Sequence, residues 1–113
     1  MDKLTNHQNI LLKVLNNHVA LPSHHFPNIQ DILVVNEAKN HFILLSNGWK
    51  NDSYIHQIVF HLELKSTGEI WILENRTDVL IDKELISNGI NPRYIFNYMN
   101  EQNSEKYEQA KAA

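Results

Sequence analysis

His61 and Glu63 lie in the middle of the run "GWKNDSYIHQIVFHLELKSTGEIWI", residues 48–72. In extended chain, residues two apart point to the same side, so an imidazole and a carboxylate sit side by side there. Such a pair can bind a metal ion or pass a proton. Either chemistry needs one or two further groups and an open position, and no second motif supplies them at a fixed spacing. The competing reading is packing, with His61 beside a cross-strand leucine and Glu63 partly covered by Trp71. The other histidines are less suggestive. His24 and His25 lie in a loop bracketed by Pro22 and Pro27, where two neighbours seldom both reach one ion. His7 and His18 fall on similar sides of the first helix and read as rim residues, while His41 and His56 stand at strand starts without a partner pattern. Glycine occurs only at 48, 68 and 89, which excludes a glycine-rich phosphate loop. Asp78, Asp82 and Glu84 are placed to favour a helix dipole and are not spaced as a carboxylate dyad.

The elements that must position these residues belong to one domain. A chain of 113 residues supports a single ordinary core. The absence of cysteine removes disulfides, thiol nucleophiles and cysteine-held metals together. Asp2, Asn6, Asn9 and Lys13 interrupt any apolar leader, and no run approaches a membrane span, so a cytoplasmic location is expected. The net charge is −3, and the ten lysines and arginines are scattered singly. Tight DNA binding calls for a basic stripe, so it is not expected of this chain alone.

Leu4, Leu11, Leu12, Val14, Leu15 and Val19 recur at helical spacing, with Asp2 available as the cap. From residue 31 the period changes. "DILVVNE", "HFILLSNGW", "YIHQIVFHLELK" and "EIWILEN" read as four strands whose short connections require antiparallel neighbours. The loop Ser66-Thr67-Gly68 suits a three-residue hairpin with glycine in the left-handed position. Pairing Lys65 with Glu69 sets Glu63 opposite Trp71 and His61 opposite Leu73. Alternation then puts Ile58, Phe60, Leu62, Leu64, Ile70 and Ile72 on one face, and Val59, His61, Glu63, Trp71 and Leu73 on the other. "TDVLIDKELISNG" reads as a helix capped by Thr77 or Asp78, with Leu80, Ile81, Leu85 and Ile86 inward and Gly89 ending it. Asn91-Pro92 opens a further short helix or a strand, and the tail 100–113 is helical or frayed.

The expected architecture is therefore α+β: a four-stranded antiparallel meander, an N-terminal helix and one or two C-terminal helices in two layers. The first two strands are apolar at both parities, and the second face of the hairpin still carries Val59, Trp71 and Leu73. Two helices cover one face of such a sheet. Either one helix packs on each face, or the leftover face, with Trp49, Val59, His61, Glu63, Trp71 and Leu73, is a protein–protein surface for a second copy or another partner.

The order Gly48-Trp49, Leu62 after His61, Glu63, Lys65, Gly68, Ile70-Trp71-Ile72, Thr77-Asp78, Glu84-Leu85 and Gly89-Ile90 resembles the XisI family, the fdxN-element excision controlling factors of cyanobacteria. The likeness covers essentially the whole chain. It departs at Pro92, one residue later than is common, and in a tail reading "NEQNSEKYEQAKAA". The resemblance implies a non-catalytic accessory factor for site-specific excision of a DNA element, without cofactor or metal. It would act through contacts with a recombinase or an XisH-like protein. The alternative from the residues alone is a small metal-binding or hydrolytic enzyme using His61 and Glu63.

Overall fold

The structure, a computed structural model, describes residues 2–20 and 28–97. The histidine pair of the proline-bracketed loop and the tail 100–113 lie outside them. Helix α1 (Lys3–Ala20) begins on Asp2, whose carboxylate accepts the Thr5 backbone N–H at 2.7 Å. That bond holds the Asp2 carboxyl below the usual range. Four strands follow: β1 (Ile29–Val35), β2 (His41–Lys50), β3 (Ser53–Leu64) and β4 (Ile70–Asn75). They form the expected antiparallel meander. The hairpin loop closes as anticipated, with Lys65 N–H on the Glu69 carbonyl at 2.8 Å.

Helix α2 (Ile81–Ser87) is shorter than the sequence suggests. Thr77 does not cap it; its hydroxyl donates to the Asn75 side chain and accepts the Val79 N–H, building a turn ahead of the helix. Leu80 and Ile86 are consequently exposed, and only Ile81 and Leu85 of the expected stripe are buried. The helix ends in a Schellman closure: Gly89 N–H bonds to the Ile86 carbonyl and Ile90 N–H to that of Leu85, each at 3.0 Å. Ile90 and Leu85 are both buried, supplying the apolar contact of that motif.

Asn91 then caps a single 3₁₀ turn (Pro92–Tyr94), accepting the Arg93 N–H, and the chain enters β5 (Ile95–Asn97). This strand pairs parallel with β4, making the sheet five-stranded in the order β1-β2-β3-β4-β5. Three apolar or amide residues after a proline turn carry no alternation to read, which is why the sequence showed four strands. The connection from β4 through α2 has the length that a parallel return requires.

One face of the sheet carries Phe42, Leu44, Phe60, Leu62, Leu64, Ile70 and Ile72, packed with Leu11, Val14 and Leu15 of α1 and Ile81, Leu85 and Ile90 from the α2 region. Both helices lie on this face, and the His18 ring of α1 meets the Glu84 carboxylate of α2 at 2.8 Å across their junction. The arrangement with a helix on each face is not adopted. His7, expected at the rim, is buried, its Nδ1 2.7 Å from the Gly68 carbonyl, so α1 is fastened to the hairpin loop. Among the described residues no helix is long and apolar enough to cross a membrane.

Two bulges interrupt the alternation. Leu44 pairs with Phe60 but Leu45 with Ile58, leaving Val59 as the extra residue. Leu62 pairs with Ile72 but His61 with Glu74, leaving Leu73 as the second. His61 therefore opposes Glu74 and not Leu73. Ile58 moves to the outer face beside Leu45, and Val59 packs toward the core. Strict period two had assigned both to the opposite faces.

Gly48 is the tightest point of the sheet. Its φ is +147°, and a Cβ there would stand 1.8 Å from the Asn28 carbonyl oxygen. Backbone strain alone costs about 1–3 kcal/mol, and here the clash is with main chain that cannot rotate away. Gly48→Ala is expected to lose at least about 3 kcal/mol, read as a lowered urea midpoint with an unchanged slope.

Candidate functional site

Trp71 is on the outer face, opposite Glu63 and beside Phe96 of β5. The sequence placed it on an open surface, but the residue is 1% exposed. Phe96 stacks on it at 5.2 Å between centroids, and the Lys65 ammonium lies 5.3 Å from the ring centre. The indole N–H donates to Glu69 at 3.2 Å. The chain itself covers this residue, and Phe96 of β5 is part of the cover.

The open part of the outer face lies at the other side of the sheet. Trp49 and Tyr54 face each other across the β2–β3 hairpin, with centroids 5.3 Å apart and exposures of 52% and 57%. The Tyr54 hydroxyl donates to Asn47 at 2.8 Å, and His56 stacks parallel to its ring. Ile32 and Val34 on β1 are also exposed, and Ile43, Leu45 and Ile58 lie between them and the hairpin. Of the six residues singled out, Trp49 belongs to this patch. His61, Glu63 and Trp71 form a separate cluster, Val59 faces the core, and Leu73 sits half-buried in its bulge. Ile32, Val34 and Tyr54, exposed on the same face, were not among the six. Their signal was the apolar content of both parities in the first two strands.

A pocket of about 300 Å³ opens on the helical side next to Val59, lined by His18, Asp31, Ser46, Gln57, Arg76 and Thr77 among others. Several of its polar groups already have partners within the chain. Ser46 donates to Asp31 at 2.6 Å, His18 meets Glu84, and Arg76 donates to Glu74 at 2.7 Å. It offers little that a polar ligand would satisfy better.

The histidine–glutamate pair resolves into two separate engagements. His61 Nε2 lies 3.1 Å from His41 Nδ1, so one ring donates and the other accepts. Glu63 is 3.2 Å from the Lys65 ammonium and 3.8 Å from the far nitrogen of His41. Among the described residues no group of three or more histidines and carboxylates is placed to hold a metal ion. The arrangement does have an electrostatic consequence. Burial, reinforced by the neighbouring His41, pushes the His61 imidazole below its usual 6.5, against the pull of Glu63 and Glu74. The folded protein thus favours neutral His61. Its contribution is complete above the ordinary histidine value and is lost as pH falls through the depressed folded one. Thermal melts from pH 7.5 to 5 should show a falling midpoint, and His61→Gln should flatten that limb. An unchanged slope in the variant would assign the acid sensitivity to other groups.

A family profile described as "XisI protein" matches residues 1–110. Two solved structures share the fold. A XisI-like protein from Anabaena variabilis superposes with a TM-score of 0.72 at 26% identity, covering 81% of this chain and 83% of its own. The fdxN element excision controlling factor XisI from the same organism gives 0.67 at 26% identity, covering 83% and 89%. No curated protein matches. With the profile spanning nearly its whole length, the chain belongs to the XisI family.

Proposed function

We propose that this chain is a non-catalytic accessory factor in excision of a DNA element, acting by contact with a recombinase or an XisH-like protein. The observation that carries the contact is the exposed Trp49–Tyr54 pair on a sheet face that neither described helix covers. Aromatic side chains with a polar tip are the residues that most often dominate protein interfaces, and this pair is already held in place by the hairpin and by the Asn47 bond. The family membership and the excision-controlling role of the Anabaena relative support the excision setting. Net charge −3 with scattered cations favours recruitment through protein over a direct grip on the duplex.

The noncatalytic reading rests on how the His61–Glu63 pair is used. His61 is bonded to a second imidazole and Glu63 to an ammonium, an arrangement that stiffens a surface and leaves neither group aimed at a shared substrate position.

The test is binding of the full chain to an XisH-like protein and to the recombinase, measured by calorimetry. Truncating both aromatics in Trp49→Ala/Tyr54→Ala is expected to weaken the complex by at least about 30-fold, corresponding to roughly 2 kcal/mol. His61→Gln should leave affinity unchanged. Wild-type protein that binds neither candidate, or a double variant with full affinity, would refute the assignment.

A further inference from the structure

The geometry points to a second interaction surface: the β1 edge of the sheet, which we infer pairs with the same edge of a second copy. Strand β1 ends the sheet order, with β2 on one side and, among the described residues, no strand on the other. The bonds from Asn36 N–H to His41 and from Trp49 N–H to Asn28 fix which residues face β2. By alternation, Leu33 and Val35 turn their backbone N–H and C=O toward the outer edge.

Natural edges are usually blunted by lysine, proline, a bulge or brevity. Among the described residues the opposite edge is short, with three residues in β5. Strand β1 has seven, IQDILVV, with no proline or lysine, and its pairing with β2 is unbroken. Its one charge, Asp31, is turned to the helical face, where it takes the Ser46 hydroxyl. The outward row reads Gln30, Ile32 and Val34, uncharged, with the two aliphatics 36% and 41% exposed.

A second copy suits this edge better than an unrelated strand because antiparallel pairing about a twofold axis is self-complementary. With the axis at Leu33, the Leu33 backbone groups bond reciprocally. Ile32 lies against the second copy's Val34, and Val34 against the second copy's Ile32. This register buries both exposed aliphatics as cross-strand pairs and sets no like charges opposite each other. Moving the axis to Asp31 would bring two carboxylates face to face. Seven residues of strand extend about 23 Å, so the contact belongs to the small, weak class of interfaces. The inference does not depend on the excision reading, and Trp49 and Tyr54 lie outside the pairing.

Sedimentation of the full chain from about 1 to 300 µM tests it. A monomer–dimer equilibrium is expected, with slower exchange of the Leu33 and Val35 amides as concentration rises. Val34→Lys and Ile32→Glu should each be monomeric with near-normal melting, since both sites are exposed. Mixing the two variants should restore a dimer, because lysine at 34 then faces glutamate at 32. Wild type that stays monomeric with concentration-independent exchange, a Val34→Lys protein that dimerises normally, or a mixture that stays monomeric would each overturn the pairing.

Discussion

Two cross-strand pairs, Phe42 against Leu62 and Leu44 against Phe60, fix the sheet on which everything else rests. All four side chains are buried against α1 and the α2 region. A slip of one residue between β2 and β3 would turn this row to the outer face and expose it. At about 1.5–3 kcal/mol for each large apolar side chain, the penalty for such a slip rivals the whole stability of a small domain. The register is therefore strongly specified at this end of the hairpin. Only beyond Leu44 and Phe60 can the chain afford an extra residue, and there the Val59 bulge occurs.

That bulge decides which side chains face the outside. It moves Val59 inward and Ile58 outward, so the apolar strip on the outer face runs from Ile32 and Val34 through Leu45 to Ile58. The second bulge, at Leu73, brings Glu74 opposite His61 in place of an aliphatic residue. His61 is consequently bordered by two carboxylates, Glu63 and Glu74, which partly offset the burial that disfavours its charge. A one-residue insertion in each strand thus sets both the apolar and the electrostatic character of the outer face.

The meander, the Asp2 cap, the hairpin loop and the Gly89 stop were legible because each depends on a local signal: a side-chain acceptor, a glycine, or an alternation of apolar residues. The α2 start was not, because Thr77 had two local partners to choose between and took Asn75 and Val79 over the helix. Bulges leave no mark in an alternation that is apolar at both parities, so Val59 and Ile58 could not be assigned from sequence. After Pro92 a short helix and a strand both stood open, and the chain uses each in turn, a 3₁₀ turn and then β5. The pairing of β5 beside Trp71 had no local signal, so Trp71 was placed on an open face. The resemblance to the family was readable from Gly48-Trp49 through Ile70-Trp71-Ile72 because several of those residues have fixed structural duties. Gly48 allows Asn28 to approach, Glu63 faces Trp71, and Lys65 lies over the Trp71 ring.

The outer face is divided. On the β4 side, Trp71 and Phe96 stack and Lys65 bridges toward Glu63, so the apolar area is consumed within the chain. On the β1 to β3 side no described helix or strand does the same for Ile32, Val34, Trp49 and Tyr54. One sheet face therefore holds a finished half and an unfinished half, separated by the His41–His61 pair. It is closed where a fifth strand reaches and open where aromatic residues are held in position by Asn47 and by each other. That difference is what supports the contact proposed for the open half, with the His41–His61 pair standing between it and the closed half.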